Sequence, residues 1–147
     1  MKRVFAYSVL VVWLFGTSFY ALAQCNAYAK NRCKPGLSPY LHNGVFNSLN
    51  MSPGETAELQ MTFFIDTEYR LMICGDDRLG EVSFRVLRQD GSVVFDSKNR
   101  SNAKFWDFSV NSTQKFTIEV DVPKSGNRTG IEEMGCVAVL SGYKPGN

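Results

Sequence analysis

Histidine is nearly absent, His42 being the only one in 147 residues. Nucleophilic catalysis by serine or cysteine needs a base, normally histidine, within hydrogen-bond reach. His42 lies between Leu41 and Asn43 in a stretch without periodicity, so it reads as an ordinary loop histidine. The four cysteines, Cys25, Cys33, Cys74 and Cys136, never stand two to four residues apart, which removes the spacing of a structural zinc site. Net charge is lacking too. Lys2 and Arg3 supply the formal +2, and beyond residue 23 the remaining basic residues equal the 14 acids. No long-range field is left to draw in a polyanion, which argues against nucleic acid as the main partner. The chain shows no internal repeat and no helical pattern longer than a turn or two.

The one long apolar run is N-terminal. Lys2 and Arg3 precede an uncharged stretch from Val4 to Phe15, and Ala21 and Ala23 stand three and one before Gln24. A charged start, an apolar middle and small residues at the cut define an export signal, with cleavage expected after Ala23. Gly16, Thr17 and Ser18 dilute the run against a retained anchor, so no transmembrane segment is expected after cleavage. Cys25 falls near the place of an acylated lipoprotein cysteine, but Gln24 stands where a small residue is usual, making that the weaker alternative. The mature chain is expected outside the cytosol: secreted, periplasmic or on the cell surface. It is long enough for one domain and too short for two. Asn50, Asn99, Asn111 and Asn127 begin N-x-Ser/Thr triplets, glycan acceptors in a eukaryotic secretory route and ordinary turn residues in bacteria.

Outside the cytosol an even number of cysteines predicts two bridges, with three possible connectivities. The expectation is Cys25 with Cys33, closing a local loop, and Cys74 with Cys136. One tension accompanies it: strict alternation puts Cys74 on the face opposite Tyr69, Leu71 and Ile73, the better core candidates.

Residues 24–44 carry no period and contain Asn26, Asn31, Pro35, Gly36, Pro39 and Asn43. They read as an irregular, bridge-stapled arm ahead of a domain at 45–147. From Val45 the pattern is period two, with β-branched and aromatic residues between turn clusters. Strands are predicted at 45–50, 56–65, 69–74, 81–88, 92–96, 104–110, 116–122 and 136–143. Asp90-Gly91 suits a two-residue hairpin turn, and the register it sets puts Val86 opposite Phe95 and Arg85 opposite Asp96. Apolar residues of both parities in 136–143 predict a strand covered on both faces. The fold class is therefore all-β: a two-sheet antiparallel sandwich of about eight strands, jelly-roll-like.

Glu81-Val-Ser-Phe-Arg-Val-Leu-Arg88, Asp90-Gly-Ser-Val-Val-Phe-Asp-Ser97 and Phe116-Thr-Ile-Glu-Val120 resemble the bacterial exported modules of the prepeptidase C-terminal type. The chain also resembles secreted bacterial proteins with a Cys-Gly pair (Cys74-Gly75) and a terminal Gly-Cys-Val-Ala-Val (Gly135 to Val139). The first resemblance implies a β-sandwich without catalysis. Neither carries a functional residue with it.

Candidate site residues are of two kinds. Phe64 and Phe105 have the parity opposite to the core residues and are candidates for an outward, partner-binding apolar spot. Trp106 shares parity with Phe108 and Val110, so it is assigned to the core. Asp66, Glu68, Asp76 and Asp77 flank the predicted strand 69–74 and form a candidate calcium site, provided that a sheet change brings the two pairs together. No other cofactor is expected. With Glu132 and Glu133, the same acids are the candidates for a glycoside-hydrolase pair. The preferred function is a noncatalytic, monomeric binding or accessory module for a protein or glycan at the cell surface, with loops 97–103 and 123–135 as contact surface. The alternatives are a loop-carboxylate hydrolase, and a structural surface component assembling through strand edges.

Overall fold

The computed structural model describes residues 20–124 and 133–145. Among the described residues nine strands follow one helix, α1 (Tyr20–Tyr28). They are β1 (Leu41–His42), β2 (Asn47–Met51), β3 (Thr56–Phe63), β4 (Thr67–Gly75), β5 (Ser83–Leu87), β6 (Val93–Asp96), β7 (Phe105–Ser109), β8 (Gln114–Asp121) and β9 (Gly135–Pro145). Eight correspond to the eight predicted from alternation; the two-residue β1 lies within the stretch read as irregular.

The first sheet runs β2-β9-β4-β7, with β1 also on β9, and the second runs β3-β8-β5-β6. All pairings are antiparallel. From β2 onward every connection changes sheet except the β5–β6 hairpin, so the order is that of a jelly roll. The inner faces supply the core: Phe63, Leu71, Ile73, Phe84, Val86, Phe116, Ile118, Val120, Val137 and Val139 are all buried. Trp106 joins it at the margin, half-buried and stacked on Phe108 at 4.0 Å and Phe95 at 5.2 Å. In the hairpin Arg85 faces Asp96 and Val86 faces Phe95, as predicted, and a bulge after Val86 then puts Leu87 opposite Val93. Arg85 forms its ion pair not with Asp96 but with Glu119, its ladder partner on β8.

The arm is where the structure corrects the sequence reading. Residues 24–44 are not irregular. Helix α1 continues through a wider turn at Ala29–Cys33 into a 3-10 turn at Lys34–Leu37. Cys25, Ala29, Cys33 and Leu37 are its buried positions, each four residues after the last. This is one face of a helix. Ala29, Cys33 and Leu37 pack with Met72, Ala138 and Leu140 in a second small core on the outer face of the first sheet. β9 is thus covered on both sides, Val137 and Val139 by the sandwich and Ala138 and Leu140 by the arm.

The bridges differ from the expected pairing as well. Cys25 joins Cys136 and Cys33 joins Cys74, with Cα separations of 5.2 and 5.8 Å. Two geometric facts forbid the expected pairs. Eight residues of helical chain separate Cys25 from Cys33 by roughly 10 Å of rise, beyond disulfide reach. The β4–β9 register puts Cys74 opposite Ala138, two residues from Cys136, a diagonal of roughly 7–8 Å. The parity assigned to Cys74 was right: it points away from the sandwich core, toward the arm.

Candidate functional site

The outer face of the first sheet carries side chains that are exposed yet held in place. Along β4 this face presents Glu68, Arg70, Met72 and Cys74, and along β7 Phe105, Asp107 and Ser109. Arg70 stands opposite Asp107 and is locked to it by two parallel bonds, Nε to Oδ1 and Nη2 to Oδ2, each 2.7 Å. Its Nη1 donates to the Ser38 carbonyl of the arm at 2.9 Å. The guanidinium lies 4.1 Å from the Phe105 ring centroid and 4.7 Å from that of Tyr40. Lys144 adds its ammonium 4.4 Å from the Tyr40 ring. A bidentate carboxylate and two aromatic rings leave the Arg70 side chain only 12% exposed. The bonds that Arg70 donates to Asp107 hold its pKa above the ordinary arginine value, while burial first and then the Asp107 and Glu68 carboxylates raise the Tyr40 hydroxyl.

Gly142 makes this arrangement possible. It stands opposite Arg70 on β9, and a Cβ there would come within 2.8 Å of the Tyr40 Cβ. Gly142→Ala is therefore expected to lift Tyr40 off Arg70 and cost about 1–3 kcal/mol through overpacking. Near-ultraviolet circular dichroism would report the lost tyrosine environment and urea unfolding the energy; an unchanged spectrum and midpoint would show that the arm yields freely here.

Next to this stack, past Met72 and toward the end of β4, lies a cleft of about 290 Å³. Cys33, Met72 and Cys74 form part of its wall, with Arg32, Lys104 and Asp77 around it. Arg32 and Lys104 have no ion-pair partner among the described residues. Cys74 is partly buried and Cys33 buried. The Tyr28 hydroxyl donates toward Cys74 Sγ at 3.7 Å, and burial, then Asp76 and Asp77, raise its pKa.

The predicted site residues fall as follows. Phe105 is outward, 45% exposed, and belongs to the stack. Phe64 is 59% exposed but precedes β4, whereas Phe105 pairs with Met72 near its far end. Roughly 17 Å of strand lies between those positions, so the two rings form no common spot. Asp66 and Glu68 are at the start of β4, Asp76 and Asp77 just past its end. Nine residues of uninterrupted strand, roughly 27 Å from end to end, keep the pairs from sharing a calcium ion or flanking one glycosidic bond. Asp76 is instead bonded to Arg78, and the Arg78 guanidinium holds its carboxyl below the usual range. Among the described residues no three His, Cys, Asp or Glu side chains gather as metal ligands. Glu132 lies outside the described residues, as does 125–132 of the loop expected to form contacts. The other loop, 97–103, turns through residues 98–100, with Asn102 Nδ2 donating to Glu81 at 2.7 Å.

His42 is half-buried rather than free in solvent. Its Nδ1 accepts from the Gly44 N–H at 3.2 Å, its Nε2 lies 3.1 Å from the Val45 carbonyl, and burial lowers its pKa. It serves its own loop. Tyr40 and Arg70 were missed as functional candidates: Tyr40 lay in the supposed irregular arm, and Arg70 had the parity of any solvated strand charge. Among the described residues no helix is long and apolar enough to cross a membrane.

No family model and no curated protein matches the chain. Among solved structures it is similar to PliG of Aeromonas hydrophila, a periplasmic lysozyme inhibitor of g-type lysozyme. The TM-score is 0.50 at 10% identity, covering 72% of this chain and 89% of that one. At that identity the likeness is one of fold.

Proposed function

We propose that this chain is an exported, noncatalytic binding protein that docks a protein partner on the Tyr40–Arg70–Phe105 stack, with a cell-wall hydrolase of the lysozyme kind as the first partner to test. The observation that carries the reading is the stack itself. Tyrosine, phenylalanine and arginine are residues that dominate protein interfaces, and here they are already ordered before any partner arrives. Ordering long side chains costs about 0.5–1.5 kcal/mol each on association, so a prebuilt stack keeps more of the contact energy as affinity. The jelly roll shared with a periplasmic inhibitor supports both the binding role and an extracytoplasmic place. Two bridges and the N-terminal signal pattern support export, with processing after Ala23.

The test is titration of a g-type lysozyme with the purified oxidised protein, following cell-wall lysis and complex mass by light scattering. The expected result is a one-to-one complex with loss of lysis. Phe105→Ala should weaken it by about 1–2 kcal/mol, roughly tenfold, with an unchanged melting temperature. No complex at micromolar concentration would overturn the hydrolase partner, and an unaffected Phe105→Ala variant would overturn the stack as its site.

A further inference from the structure

We propose that the Cys33–Cys74 bridge is a thiol–disulfide exchange site, reached through the cleft beside it by a small anionic thiol. The cleft wall contains both cysteines of the bridge, and Cys74, the less buried of the two, is the target for an incoming sulfur. Arg32 and Lys104 line the same cleft with no ion-pair partner among the described residues, against a single acid, Asp77, and so leave it with a positive balance. Their charges favour a thiol that also carries a carboxylate, and they favour the thiolate form, which is the nucleophile.

The exchange balances in two steps. The thiolate attacks Cys74 Sγ, a mixed disulfide forms there and the Cys33 thiolate leaves, beside Arg32. A second molecule of the same thiol, as thiolate, attacks the carrier sulfur of the mixed disulfide. It departs as the oxidised carrier disulfide, and Cys74 is expelled as a thiolate toward which the Tyr28 hydroxyl already points at 3.7 Å. The two bridges are not equivalent. Cys33 and Cys74 both line this cleft, whereas neither Cys25 nor Cys136 does.

Opening this bridge frees the arm at the end that carries Leu37 and Tyr40. The second small core then rests on noncovalent packing, and the ring over Arg70 loses its covalent anchor. That consequence for docking rests on the proposed function, whereas the exchange itself does not.

The experiment exposes the oxidised protein to reduced glutathione at pH 7.5, traps thiols by alkylation and maps them by peptide mass. Cys33 and Cys74 are expected to become labelled at least about fivefold faster than Cys25 and Cys136, with glutathione found on Cys74 at early times. The double variant Arg32→Glu, Lys104→Glu should slow the reaction with glutathione by about threefold or more and leave neutral 2-mercaptoethanol within about twofold. Equal labelling of the two bridges, earlier labelling of Cys25 and Cys136, or a charge reversal that slows both thiols alike would overturn the proposal. The readout is mass, so a chain that fails to bind lysozyme still tests it.

Discussion

Phe63→Ala is expected to lower folding stability by about 3–5 kcal/mol, the largest effect of any single side-chain truncation in the sandwich. Phe63 ends β3 and is 1% exposed. Its ring centroid lies 4.9 Å from Tyr69 and 4.9 Å from Phe108, both edge-on, and 5.7 Å from Phe116. Tyr69 and Phe108 come from the first sheet, Phe63 and Phe116 from the second. Alanine would thus remove the contact that holds the two layers together where the chain crosses from β3 to β4. The Tyr69 hydroxyl accepts from the Phe64 N–H at 3.0 Å, and that bond depends on the same packing. Phe63→Leu keeps most of the buried area and should recover more than half of the loss. Urea unfolding tests this: the midpoint should drop with an unchanged slope. A loss under about 1 kcal/mol would mean that the neighbouring rings collapse into the space and that the cluster is not rigid.

The sandwich was legible because a strand buried on one face must alternate, and every strand from β2 to β8 does so with few exceptions. β9 was legible for the complementary reason, since residues of both parities are apolar. What covered its outer face was not. Cys25, Ala29, Cys33 and Leu37 recur every four residues, a helical stripe, yet two of the four are cysteines and one is alanine. Read as bridge-formers and a small residue, they left no hydrophobic period to detect. The disulfide error followed from the arm error. Once Cys74 is granted its outward parity, its partner must lie on whatever covers that face, and only a packed arm supplies one. The calcium site failed on topology, since β4 runs without a sheet change between its two acidic ends. The outward exposure of Phe105 was legible from parity, whereas Tyr40, Arg70 and Asp107 become a unit only through the β4–β7 register and the position of the arm, which alternation within single strands does not specify.

The Cys25→Ser, Cys136→Ser variant is the sharper test of what the arm needs, with an expected cost of about 3–4 kcal/mol. The bridge closes a separation of 111 residues, the longer of the two loops in the chain. Its removal enlarges the unfolded ensemble more than removal of Cys33–Cys74 would, by a margin of about 1 kcal/mol. The folded state suffers locally too. Helix α1 spans Tyr20–Tyr28 and keeps only Gln24–Tyr28 once the leader is cut after Ala23, too little to persist in water by propensity alone. Besides apolar packing, two side-chain bonds among the described residues hold it, Ser48 Oγ to Asn26 Oδ1 at 2.7 Å and the Tyr28 hydroxyl to Cys74 Sγ at 3.7 Å. Without the bridge, amides from Asn26 to Lys30 should exchange at rates close to those of a peptide, while β4 and β9 keep global protection. The second bridge still fixes Cys33, so Leu37 and Tyr40 should hold their places and the Arg70 stack should survive. Hydrogen exchange separates these outcomes residue by residue. If protection at Asn26 to Lys30 persists with a stability loss below about 1 kcal/mol, packing of Ala29 against the sheet is sufficient by itself, and the covalent tie contributes little to the fold.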